Sequence, residues 1–280
     1  MNGILIINKD QGMTSRDVVN EIVGKFDTKK VGHAGTLDPL ATGVLMVGIG
    51  NGTKILSLLT ESDKEYVCKF KLGMLTDTLD IEGNIISEEE INIDSNTIKN
   101  VINDFPKIYN QEVPIYSAVK VKGKKLYEYA REGKEVELPT REVQIKELEV
   151  LDVTENMVTI RTMVSKGTYI RSLINDIAKI LNTNGTVMEL KRTKQGDFSI
   201  ENSISLDEVT LEDLKPLSEV FEDVTQVDEE TKDKIKHGGL LPNIYNKGQI
   251  NFMYNKELIA IYEVYKKDEN LIKPKYVFIK

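Results

Sequence analysis

Between residues 64 and 73 the chain alternates: Tyr66, Cys68, Phe70 and Leu72 fall on one side, Val67, Lys69 and Lys71 on the other. A period of two over this length marks a half-buried strand, because successive side chains leave opposite faces of the pleat. Residues 143–153 and 157–164 alternate in the same way around a turn near 154–156, which predicts a strand pair. Residues 3–8 (GILIIN) and 44–49 are short apolar runs of the kind expected in buried strands. Helical spacing is rarer. Thr14 or Ser15 can cap a helix to about Phe26, and Asp94 or Ser95 another to about Phe105. Thr168 opens a third through Asn182. Residues 186–190 read as a strand, 191–198 as a basic loop, and 106–125 as irregular. Many alternating strands with few long helices point to an α+β fold with a mainly antiparallel sheet.

The chain has 280 residues, enough for one large domain or a large and a small one. Residues 216–240 hold the acidic segment FEDVTQVDEETKDK and read as a linker. That leaves a main domain at 1–215 and a small β-rich unit at 241–280, with strands expected at 250–253, 258–264 and 276–279. One cysteine, Cys68, excludes an internal disulfide and a cysteine-based zinc cluster. The sequence shows no membrane-span run and no signal-peptide pattern, so a cytoplasmic protein is expected. The net charge of −8 argues weakly against nucleic acid. Local distribution counts for more than the sum. Residues 116–134 carry Lys120, Lys122, Lys124, Lys125, Arg131 and Lys134 against Glu128 and Glu132, with Tyr116, Tyr127 and Tyr129 interleaved. A basic, aromatic, irregular segment is a nucleic-acid footprint or simply a solvated face. Lys191, Arg192 and Lys194 add a second basic cluster.

Chemistry is expected at residues 31–43, VGHAGTLDPLATG, where Gly32, Gly35 and Gly43 surround His33 and an Asp38–Pro39 step. Pro39 biases Asp38 toward an extended conformation, and the glycines permit close backbone approach. The loop is either a structural turn or a mount for a carboxylate nucleophile. Arg171 falls in the first turn of a helix, where the macrodipole disfavours a cation by ~0.3–1 kcal/mol. It is a solvated arginine or the partner of a carboxylate brought from elsewhere, for which Asp38 is the attractive choice. Tyr66 is core with a wet hydroxyl, or a platform for a flat ligand. Two distant histidines without a carboxylate or cysteine pattern make a metal site unexpected.

Together these segments resemble the TruB-type bacterial tRNA pseudouridine synthases. The resemblance is carried by GMTSRDVV (12–19), GHAGTLDPLATGVL (32–45), KEY (64–66), LGMLTDTLDIEG (72–83), PIYSAVKVKGKKLYEYAREG (114–133), GTYIRSL (167–173) and LKRTKQGDF (190–198), in order. It implies a pseudouridine-synthase catalytic domain with a small PUA-like domain after it, acting on uridine 55 of the tRNA T-loop. It implies Asp38 as the catalytic aspartate, Arg171 as its partner, Tyr66 stacked on the target uracil, Leu190 under the base, and His33 inserted into the T-loop. Residues 114–140 correspond to a mobile thumb. Lys9, Gly35, Thr36, Leu37, Asp77, Thr78, Asp80, Lys120, Tyr169 and Arg192 fall in or beside the shared motifs and are expected on the RNA-binding side. The family usually has Lys-Pro where this chain has Lys9-Asp10. No cofactor, no metal and no obligatory protein partner are implied, and a monomer is expected. A non-catalytic tRNA-binding or folding factor using the same surfaces is the competing reading. A third is a relative of the archaeal and eukaryotic synthases that work in guide-RNA complexes.

Overall fold

The computed structural model describes residues 1–279. Along the chain, β1 (Gly3–Lys9) leads to α1 (Ser15–Lys25), β2 (Val31–Ala34) and β3 (Thr42–Ile49), then to the short helix α2 (Leu56–Thr60) and β4 (Lys64–Leu72). A small hairpin, β5 (Met74–Thr76) and β6 (Ile85–Glu88), precedes α3 (Ser95–Asn103) and β7 (Ile108–Glu112). The basic segment holds a second miniature hairpin, β8 (Lys120–Val121) and β9 (Lys124–Lys125), and α4 (Leu126–Arg131). Then come β10 (Thr140–Thr154), β11 (Met157–Val164), α5 (Ile170–Ile180), β12 (Gly185–Gln195), β13 (Phe198–Ser199) and β14 (Ile204–Ser205). The chain ends with β15 (Thr225–Gln226), α6 (Glu229–Lys236), β16 (Leu241–Pro242), β17 (Gln249–Tyr254), β18 (Glu257–Val264) and β19 (Leu271–Val277).

The main sheet has ten strands in the order β14-β1-β3-β12-β4-β11-β10-β7, with β2 on β3 and β13 on β12. Only β1–β14 and β3–β12 pair in parallel. Helix α1 starts where the sequence places it, with Thr14 as N-cap in a reciprocal capping box with Asp17. Helix α5 lays Ile170, Leu173, Ile174 and Ile177 into the same core as Phe70, Leu72 and Val187.

Three stretches differ from the sequence reading. β12 runs through Gln195 instead of giving way to a loop at Lys191. Its inward positions 190 and 192 are Leu and Arg, and an inward arginine hides the alternation. β7 lies inside the segment read as irregular and pairs with β10 from Ile108 to Glu112. β19 is earlier than expected, because Lys273, Pro274 and Lys275 disguise a strand that pairs with β18. Within residues 216–240, read as a linker, the chain forms β15 and α6, and Ile235 of α6 is fully buried.

The second sheet, β15-β17-β18-β19-β16, has its own core around Phe252, Tyr262 and Ile272. It also shares a cluster with the main sheet: Met253, Leu258 and Ile261 pack with Ile4, Ile6 and Met46. One face of β1 and β3 is thereby covered.

Candidate active site

The loop between β2 and β3 is nailed down on both sides of Asp38. Leu37, Leu40 and Ala41 are buried. The Leu37 amide donates to Ser15 Oγ at 2.8 Å, and that hydroxyl reaches the Leu37 carbonyl at 3.1 Å. The Gly12 amide donates to the Pro39 carbonyl at 2.9 Å. Below it lies Lys9, fully buried, donating to the carbonyls of Asp10 at 2.8 Å and Met13 at 2.7 Å. Gly43 is required: its φ is +97°, and a Cβ there would stand 2.2 Å from the Arg192 carbonyl oxygen. The result is a stiff mount on which Asp38 keeps 38% of its side chain exposed.

Arg171 comes from the first turn of α5 and is 5% exposed. Its Nε lies 2.9 Å from Asp38 Oδ2 and 3.6 Å from Asp80 Oδ2. Nη1 donates to the Thr78 carbonyl at 2.8 Å and Nη2 to the Tyr116 carbonyl at 3.0 Å. Two carboxylates and two carbonyls thus offset the unfavourable helix end, and a planar guanidinium fixes their directions. Asp80 is buried, which pushes its carboxyl above the ordinary carboxylate range against the Thr78 hydroxyl and Arg171, which hold it down. The hydroxyl of Thr78 donates to Asp80 Oδ1 at 2.6 Å.

These groups open on a cavity of about 300 Å³. Tyr66 and Leu190, each 8% exposed, form apolar walls on the adjacent strands β4 and β12. Tyr169, Tyr116 and Ser117 line the mouth. The backbone of Tyr169 is gripped at both ends by the buried Gln111 amide, its N–H donating to Oε1 at 2.7 Å and its carbonyl accepting from Nε2 at 3.0 Å. Ser117 Oγ is buried without a hydrogen-bond partner. Among the described residues, no group of side chains is arranged to hold a metal ion.

Of the residues named from sequence, the cavity gathers Asp38, Tyr66, Arg171, Gly35, Thr36, Leu37, Tyr169, Leu190 and Arg192. Thr78 and Asp80 stand behind it on Arg171. Asp77 binds the Asn84 amide at 2.8 Å and organises the turn before β6. Lys120 sits on the exposed β8–β9 hairpin. Lys9 supports the loop from beneath. His33 is half-buried on β2 outside the cavity lining; burial, with Arg16 and Arg192 nearby, holds its imidazole below the ordinary range and so neutral. Sequence reasoning missed Ser15, Gln111 and Lys64. Lys64 had a signal, since it lies two residues before Tyr66 and shares its strand face.

Comparison with known proteins agrees with this architecture. Residues 24–170 match the N-terminal domain of the TruB family pseudouridylate synthases. A relative from Clostridium tetani named tRNA pseudouridine synthase B is 47% identical over 216 residues, 77% of this chain and 75% of its own. One of the same name from Mesoplasma florum is 41% identical over 271 residues, 94% of this chain and 93% of its own. Two solved structures share the fold over 99% of this chain with a TM-score of 0.74. One is an H/ACA RNP bound to a substrate RNA containing 2'-deoxyuridine (23% identity, 85% of that chain). The other is a Cbf5-Nop10-Gar1 complex (24% identity, 84% of that chain). The family match and these relatives make the chain an RNA pseudouridine synthase, an isomerase. Within that class the chain belongs to the TruB family.

Proposed function

We propose that this chain converts uridine 55 in the T-loop of tRNA to pseudouridine, in the cytoplasm, as a monomer without guide RNA or protein partner. The reading is carried by Asp38: a partly exposed carboxylate in the lining of a cavity of about 300 Å³, which among the described residues has one cation within 4.0 Å, the buried Arg171. The names and coverage of the relatives support tRNA as substrate. A glycosidic bond inside a folded loop is shielded, so the uridine flips out and pays an unstacking cost of a few kcal/mol. A neutral His33 fills the space left behind. Tyr66 and Leu190 sandwich the base, and the planar Arg171 guanidinium, 2.9 Å away, aims Asp38. Asp38 then breaks the N1–C1′ bond by attacking C1′, by adding to C6, or by drawing a proton from the sugar. The detached uracil turns within the slot, C5 joins C1′, and loss of the C5 proton completes an isomerisation with no net redox change. RNA enters past the basic segment at 114–140, where Lys124 lies 5.0 Å from the Tyr129 ring centroid and Arg131 5.3 Å from that of Tyr127. The test is Asp38→Asn. It should bind a tRNA transcript like wild type and leave its uridine unconverted; conversion by this variant would end the reading.

A further inference from the structure

The lining of the cavity holds two further cations besides Arg171. Arg192 is 1% exposed. Its Nε donates to the Val44 carbonyl at 2.7 Å and Nη2 to the Gly35 carbonyl at 2.8 Å, while Nη1 stands 3.5 Å from the Tyr66 hydroxyl. Lys64 is 7% exposed and donates to the carbonyls of Thr60 and Ser62, both at 2.6 Å. Among the described residues, neither has a carboxylate oxygen within 4.0 Å. Burial, and next the Arg192 charge, hold the Lys64 ammonium down at about 8. Arg192 also depresses Lys9 and His33, though less than burial does. A buried charge without a counter-ion is costly, and carbonyl dipoles offset it only in part. Such a group is worth its cost where negative charge develops in a dry site.

The isomerisation proposed above supplies that charge by every route open to Asp38. If Asp38 attacks C1′, the N1–C1′ electron pair leaves on uracil. If it takes the C2′ proton, the same pair leaves on N1 as the C1′–C2′ double bond forms. If it adds to C6, the C5–C6 π pair moves into the ring as an enolate. We infer that Arg192, with Lys64 behind it, is the electrostatic clamp that holds the uracil ring while it is anionic. A backbone phosphate is the other anion available, but Arg192 is 1% exposed and reaches the hydroxyl of Tyr66, the residue that takes the base on the reading above. The inference rests on the isomerase reading.

Two T-arm stem-loop RNAs decide it, one with uridine and one with 5-fluorouridine at the target, each with single-turnover rates at saturating protein and a measured Kd. The fluorine withdraws electrons, so its ring needs less help to carry negative charge. Arg192→Gln should lose about 10²–10³-fold in rate on uridine, the range for removing one oxyanion donor, with Kd within about threefold of wild type. Its loss of N-glycoside cleavage on 5-fluorouridine should be at least about tenfold smaller. A raised Kd with an unchanged saturated rate would make Arg192 a phosphate contact and overturn the inference. Equal losses on both RNAs would make its role structural and overturn it too. Should Arg192→Gln fail to fold by circular dichroism, the same two-RNA comparison on Arg192→Lys decides. If wild type leaves both RNAs unconverted, it is the isomerase reading that fails.

Discussion

Single atoms set the position of Asp38, and their removal has measurable consequences. Ser15 Oγ satisfies both backbone groups of the buried Leu37. Ser15→Ala strands them, which should cost ~1–3 kcal/mol in urea unfolding and lower kcat more than KM, because the loop loosens without losing an RNA contact. Gly43→Ala combines a left-handed backbone with a clash on the Arg192 carbonyl. It should cost about 2–4 kcal/mol by thermal denaturation. Lys64 carries a pH signature. Its folded-state value near 8 lies below the ordinary 10.5 of a lysine, so between those values the unfolded chain binds more protons. Its destabilising contribution is therefore full below about pH 8 and is relieved as pH rises toward 10.5. Urea unfolding of wild type should show stability rising across that window, Lys9 acting with the same sign, and Lys64→Met should flatten the rise.

At the scale of elements, β12 shows what a sequence conveys and what it hides. Strands such as β4 and β11 were legible because their inward positions are mostly apolar (Tyr66, Cys68, Phe70 and Leu72; Val158, Ile160 and Val164), with Lys69, Lys71 and Arg161 among the outward ones. β12 was cut short in the reading because its inward position 192 is an arginine, and period-two logic treats a charge as outward. The residue that spoiled the pattern is a member of the cavity wall, so the misreading fell on a functional position. The Asp38–Arg171 contact had a physical hint in the awkward cation at a helix start, but the distance between loop and helix exists only in the folded chain. Gln111 and Ser15 gave no hint, since each acts through a tertiary contact to backbone. The β8–β9 hairpin and α4 show basic and aromatic side chains at the surface, with Lys124 paired to Glu132. Lys120→Ala should weaken tRNA binding uniformly across sequences and reduce the slope of log K against log salt by about 0.7–1. A slope equal to wild type would remove Lys120 from the phosphate contacts.

Over the whole molecule, the two sheets share a core, so the C-terminal unit is more than an attachment. Ile261 is fully buried between Ile4, Ile6 and Met46 on one side and its own sheet on the other. Ile261→Ala should cost ~2–5 kcal/mol and lower the melting of the entire chain in one transition by scanning calorimetry; two separated transitions would show the units unfolding independently. The acidic total and basic cavity wall also make sense together at this scale. Negative charge elsewhere disfavours indiscriminate RNA adhesion, while Lys64, Arg171 and Arg192 line the cavity. On the proposed reading this chain alone carries out the reaction. The purified protein should be incubated with an unmodified tRNA transcript, free of guide RNA and other proteins, and the product mapped nucleotide by nucleotide. Pseudouridine at position 55, absent with Asp38→Asn, is the predicted result; tight binding with every uridine unchanged would contradict it.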